Sequence, residues 1–259
     1  MRKLILAAAL CTLTSLPALA ADSPWAGTWK LDPARSHFTG ETFTYSRSAN
    51  GMMHYSNGSS ENYDFAPDGK DYPTGFDGVV AVTGKGPTAW QEVFKRNGAT
   101  LSTGEFSLSP DEKTLSATFT GTKPDGTTFN NEETYTRVSG TKGPEGKWKS
   151  TKVNISAPGS WIISFPSADT IKWDIPDYKE TVEGKTDGSD LPISGPTAPK
   201  NMTLAVKLTG KKISYTVKHE GKPIGRGNVT LSADGKAATD VSWNEGKLNE
   251  KTSAVFEKQ

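Results

Sequence analysis

Hydrophobic positions in this chain come in short runs and alternate with polar ones. Runs rich in Thr, Val, Phe, Tyr and Trp are separated by turn clusters, as in Thr42–Arg47, Trp90–Arg96, Leu115–Thr120, Trp161–Phe165, Ile213–His219 and Asn228–Ser232. A period of two places one set of side chains on each face of a strand, and no i, i+3, i+4 stripe competes with it. After residue 20 the longest stretches without Gly or Pro are 13 residues, Thr127–Ser139 and Lys247–Gln259, and both alternate as strands do. Asn50-Gly51, Asn97-Gly98, Asp125-Gly126, Asp187-Gly188 and Asp234-Gly235 are hairpin-turn dipeptides. The pattern predicts an all-β chain of antiparallel sandwich or barrel type.

One segment breaks this period. Leu4 to Leu16 is predominantly apolar, follows Arg2 and Lys3, and precedes the small-x-small sequence Ala18-Leu19-Ala20. Residues 1–20 are therefore expected to be a cleaved signal peptide, which places the protein in the periplasm or outside the cell. The run is shorter than the roughly 20 residues a membrane-spanning helix needs. Cys11 lies inside it behind Leu10, where a lipid anchor would need a small residue.

Loss of Arg2 and Lys3 from 30 basic and 29 acidic side chains leaves 28 and 29 over 239 residues, with no cysteine. Disulfides, thiolate nucleophiles and cysteine zinc sites are excluded from that stretch. A nearly neutral chain is also not expected to bind nucleic acid, and no other stretch is apolar enough to span a membrane.

The chain repeats itself. Gly27-Thr28-Trp29-Lys30 matches Gly146-Lys147-Trp148-Lys149, and Asp68-Gly69-Lys70-Asp71-Tyr72-Pro73 matches Asp187-Gly188-Ser189-Asp190-Leu191-Pro192, both at an offset of 119. Further on the offset becomes 123, where Phe106–Lys113 matches Val229–Lys236. Two domains follow, residues 21–139 and 146–259, with 140–145 as the linker. About 115 residues suit one small barrel of about eight strands.

Both copies begin with Gly-x-Trp, carried by Gly27 and Trp29 and by Gly146 and Trp148. This resembles the lipocalin (calycin) family, and the opening Gly27–Ser36 is similar to exported bacterial proteins with lipocalin-like repeats. The resemblance implies two tandem up-and-down barrels, each closed at one end by its Trp under a basic side chain of the last strand. Arg137 and Lys258 match that basic position, the lysine being a departure because its ammonium does not stack as a planar guanidinium does. The resemblance transfers no catalytic residues.

Trp90, Glu92, Phe94 and Arg96 share one face of their strand, and the repeat places Ile213, Tyr215, Val217 and His219 opposite them. At the offset of 119, His54 aligns with Trp173. If these faces point inward, the first barrel has a mixed aromatic and charged interior, with Tyr45 adding to it, and the second is mainly apolar. If they point outward, Glu92 pairs with a neighbouring basic strand residue.

Motifs of known chemistry fail. His219-Glu220 cannot open His-Glu-x-x-His because Pro223 holds the second ligand position. There is no Gly-x-Ser-x-Gly elbow and no phosphate loop. The Asp68/Asp71 and Asp187/Asp190 pairs lack a calcium ladder and read as turn residues. No metal or other cofactor is expected. Three functions remain. The first is binding of a small hydrophobic or amphipathic ligand in a barrel. The second is an enzyme using Glu92, Arg96 and His54, which requires these groups to converge on one cavity. The third is a cell-envelope module that binds a protein partner.

Overall fold

A computed structural model describes residues 23–259; the expected signal peptide and Cys11 lie outside the described residues. The described residues are all-β, with twenty strands and one 3₁₀ turn at Pro176–Tyr178. The first ten strands are β1 Gly27–His37, β2 Thr42–Arg47, β3 Met53–Ser56, β4 Asn62–Phe65, β5 Asp68–Gly75, β6 Gly78–Gly84, β7 Ala89–Arg96, β8 Ala99–Leu108, β9 Thr114–Thr122 and β10 Thr128–Ser139. The second ten are β11 Gly146–Asn154, β12 Ser160–Ser167, β13 Thr170–Ile175, β14 Glu180–Lys185, β15 Asp187–Ser194, β16 Met202–Thr209, β17 Lys212–His219, β18 Lys222–Leu231, β19 Ala237–Asn244 and β20 Thr252–Lys258. Every pairing is antiparallel. Turn chemistry sets the hairpins locally: Asn97 and Gly98, between β7 and β8, have φ of 51° and 79°, both positive as a type I′ turn requires.

Each sheet has ten strands, where length had suggested about eight. Two strands of the first sheet, β3 and β4, are only four residues long. One sheet is a closed barrel of β1 with β12 to β20, and the other runs β4-β3-β2-β11-β10-β9-β8-β7-β6-β5. In the latter, β4 and β5 are neighbours without a hydrogen-bonded ladder, so the barrel is open along that seam.

Sheet membership does not follow the two copies. β11 lies between β10 and β2, while β1 lies between β20 and β12. Residues 140–145 are thus a hairpin loop inside the first sheet rather than a linker between domains. The chain crosses between sheets at residues 38–41 and 155–159. β11 follows β10 within six residues and pairs with it, a short loop closure, whereas β20 pairs with the distant β1.

The closing strands carry the two Gly-x-Trp motifs. Trp148 and Trp29 are both fully buried. The Arg137 guanidinium lies over the Trp148 ring at 4.2 Å, and the Lys258 ammonium over Trp29 at 5.4 Å. Each cation therefore covers the tryptophan of the other sequence copy. Arg137 also donates to three carbonyls, those of Glu112 at 2.7 Å, Gly143 at 2.6 Å and Glu145 at 2.7 Å. Lys258 reaches one, that of Pro24 at 3.0 Å. Gly146 at the start of β11 has φ +140°, and a Cβ there would lie 2.2 Å from the Ser139 carbonyl oxygen, so the close strand entry requires glycine.

Inward positions form two cores. Trp29, Ile163, Ile171, Val206, Ile213 and Val229 anchor one, and Tyr45, Val80, Val82, Leu115 and Trp148 the other. The two barrels meet through a buried ion pair, Lys123 Nζ to Asp177 Oδ2 at 2.7 Å. Thr42 adds bonds from its amide and hydroxyl to Glu250, each 2.8 Å.

Two outcomes are expected. Arg137→Met should lower unfolding free energy by about 3 kcal/mol and Lys258→Met by about 1 kcal/mol in urea titrations, because charge-assisted bonds to carbonyls outnumber one another three to one. A chain of residues 38–156 contains every strand of the first sheet; it should unfold in one cooperative step, with Trp148 shielded from acrylamide quenching.

Candidate functional site

Strand β7 places Trp90, Glu92, Phe94 and Arg96 on its inner face. Glu92 is only 2% exposed. Its Oε1 accepts from the Tyr45 hydroxyl at 2.7 Å and from the Trp90 indole at 2.9 Å. Both donors converge on one oxygen, and Oε2 accepts no bond from the described residues. Burial raises the Glu92 pKa above the ordinary carboxylate value, and the two donated bonds partly oppose that shift. Burial and the adjacent Glu92 charge hold the Tyr45 hydroxyl far above its usual pKa, so it remains a donor.

Glu92, Tyr45, Phe94 and Arg96 line a cavity of about 180 Å³ in the first barrel, together with Phe43, Tyr55, Tyr63, Phe119 and Tyr135. The aromatic walls brace one another. Phe43 meets Tyr45 and Tyr135 edge-on at 5.2 and 5.0 Å, and Tyr55 stacks on Tyr63 at 4.8 Å. Trp90 sits behind the cavity, stacked on Phe106 at 5.2 Å. An adjoining recess of about 390 Å³ shares Phe43, Tyr55, Glu61 and Tyr135 and adds Glu41 and Glu133. Glu133 accepts a very short bond from the Tyr135 hydroxyl. Crowding by surrounding protein raises the pKa of Glu41, Glu61 and Glu133 as well, although Glu41 and Glu61 keep contact with solvent.

On another side the cavity shares Arg96, Leu101 and Phe119 with a cleft of about 950 Å³ between the barrels. Phe129, Ile175, Ile193 and Met202 make that cleft mainly apolar. Arg96 stands where the two spaces meet and donates to the Thr197 carbonyl at 3.1 Å.

His54 is not in the cavity. Met53 is buried, and Tyr55 faces the cavity from the same strand, so His54 between them points outward, with its Nδ1 2.6 Å from Asp64. The cause is a slip of one residue. Tyr45 and Ile163 hold equivalent places, opposite Gly146 and Gly27, and are 118 positions apart rather than 119. Tyr55, opposite Tyr45, thus corresponds to Trp173, opposite Ile163. One residue of slip exchanges the two faces of a strand. The acid/base arrangement of Glu92 with His54 is therefore not assembled.

The second barrel solves the same position differently. Tyr215 stands where the first has Glu92 and donates to both Asp240 oxygens, at 2.9 and 3.1 Å. Its ring lies across Gly227, where a Cβ would come within 2.2 Å of it. Trp161 packs edge-on to Trp173 at 4.8 Å and stacks on Phe256 at 3.5 Å.

Reading by strand faces missed Tyr55, Tyr63, Glu61 and Glu133 as wall residues. Their signal was present as alternation in Tyr63/Phe65 and Asn131/Glu133/Tyr135, but short strands such as β3 and β4 carry too few periods to fix a face.

Burial pushes the Asp240 carboxyl up to about 6 from its ordinary 3.8. Between these values the native state holds a proton that the unfolded chain has released, so stability falls as pH rises from about 4 to about 6. Asp240→Asn should remove that dependence. In urea titrations it is expected to exceed the wild type by about 2 kcal/mol at pH 7.5 and to show no advantage at pH 4.

Comparison of this chain with protein-family models, with curated proteins and with solved structures found no match.

Proposed function

We propose that the chain is an exported, lipocalin-like binding protein that holds one small amphipathic molecule in its first barrel. The observation that carries this reading is an aromatic-walled cavity containing a buried carboxylate with one oxygen free. A volume of about 180 Å³ corresponds to about six waters at about 30 Å³ each, so the occupant is a compact molecule. Buried polar groups are ordinarily satisfied, and a free carboxylate oxygen facing a cavity is a place for a ligand donor. The apolar cleft beyond Arg96 offers a path of entry and a surface for an apolar portion of the ligand.

Glu92 without an adjacent histidine favours binding over acid/base chemistry, because neither Tyr45 nor Trp90 titrates near neutrality to serve as its partner. Export follows from the sequence pattern of residues 1–20 and accords with a cysteine-free chain after residue 20 whose stability rests on two buried cores.

Native mass spectrometry of protein purified without organic solvent is expected to show one small non-covalent adduct per chain, released by solvent extraction. Titration of the extracted protein with that compound should change its aromatic emission saturably. A preparation with no adduct, whose emission also stays constant across a panel of small amphipathic compounds, would refute the reading.

A further inference from the structure

Two carboxylates, Glu92 and Glu61, and two cations, Lys95 and Arg96, line the cavity, and the recess beside it adds two further carboxylates, Glu41 and Glu133. None of the four carboxylates takes part in an ion pair among the described residues. The nearby cations bond other groups, and the Arg96 Nε is buried without a partner among the described residues. Lys95 pairs with Asp71 at 2.7 Å, Lys247 pairs with Glu250 at 2.6 Å, and Arg96 bonds the Thr197 carbonyl. Arg96 still lowers the Glu61 pKa from a distance, and Lys247 that of Glu41, but neither makes contact.

A buried carboxylate without a counter-charge is costly and holds its proton more readily, and a cation entering the cavity relieves that cost. The walls specify what kind of cation this is. Aromatic faces attract cations, and several rings around one space form a cage suited to a bulky organic ammonium. A metal ion fits poorly, since no three His, Cys, Asp or Glu side chains among the described residues converge closely enough to hold one. Carboxylates spread along the walls match a charge distributed over several carbon-bearing groups. The second barrel lacks this arrangement, because Tyr215 bonds both oxygens of its buried Asp240.

We infer that the first-barrel ligand is a compact organic ammonium compound whose cationic head sits among Tyr45, Tyr55, Tyr63 and Phe43 and faces the free oxygen of Glu92. This rests on the small-molecule reading above and names its chemical class.

The test compares choline with its uncharged carbon isostere, 3,3-dimethylbutan-1-ol, by isothermal titration calorimetry on the whole protein at pH 7. Choline should bind at least about tenfold more tightly, the order of a single desolvated cation–aromatic contact. Glu92→Gln keeps an acceptor for Tyr45 and Trp90; it should weaken choline about tenfold and leave the alcohol unchanged. Glu61→Gln, at the solvent-facing rim, supplies the same comparison if the Glu92 variant does not fold. Equal or tighter binding of the alcohol overturns the ammonium assignment and leaves small-molecule binding intact. If neither probe binds, the native adduct decides: an ammonium compound supports the assignment and a neutral or anionic one overturns it. Absence of both binding and adduct removes the assignment together with the reading beneath it.

Discussion

A tryptophan buried beneath a last-strand cation is the interaction on which both barrels depend. Trp148 lies between the last strand β10 and the second strand β2, so the same residue fixes the register of the two strands that must meet for the sheet to curl closed. Arg137 covers its ring and ties down carbonyls of the β8–β9 turn and of the β10–β11 loop. One guanidinium thus satisfies backbone groups that closure would otherwise bury unpaired. Trp29 and Lys258 repeat the device with a single carbonyl and a more distant charge. The better-bonded closure belongs to the barrel with the open seam between β4 and β5.

With the ends fixed, the two interiors were free to differ. A carboxylate and a tyrosine hydroxyl meet in each, but on different strands. In the second barrel the tyrosine ring lies against Gly227, and its carboxylate stands on β19. In the first, the carboxylate stands on β7 and the tyrosine comes from β2 on the opposite arc. Tyr45 corresponds to Ile163 and Asp240 to Ala117, so the shared position is that of Glu92 and Tyr215, where the first barrel has a carboxylate and the second a ring. At that position the first barrel keeps a cavity and an unsatisfied oxygen.

The inner face of β7 was legible because eight residues alternate without a break, and the repeat supplied an apolar counterpart for comparison. Hairpin dipeptides such as Asn97-Gly98 were legible for an equally local reason, since only certain residues adopt positive φ cheaply. His54 was misplaced because its face depends on parity, and the copies differ by one residue between Gly27 and Tyr45 as against Gly146 and Ile163. A slip of this size leaves the repeat recognisable and reverses which side chains enter the barrel. Glu133 was legible only as the partner of an outward Glu132, since its cavity is formed by strands distant in sequence.

The sequence by itself determined the all-β character, the hairpin turns and the two tryptophan motifs, all of which follow from backbone preferences and period-two burial within a few residues. Only the tertiary structure decided that β1 closes the later barrel and β11 the earlier one. The two opening strands are nearly equivalent in sequence, and β11 sits beside β10 because only six residues join them. Only the tertiary structure, likewise, decided that in the first barrel Glu92 and Glu61 meet an aromatic space, with Glu41 and Glu133 in the recess beside it. Cavities arise from how side chains of many strands divide a shared volume, and no single strand encodes that division.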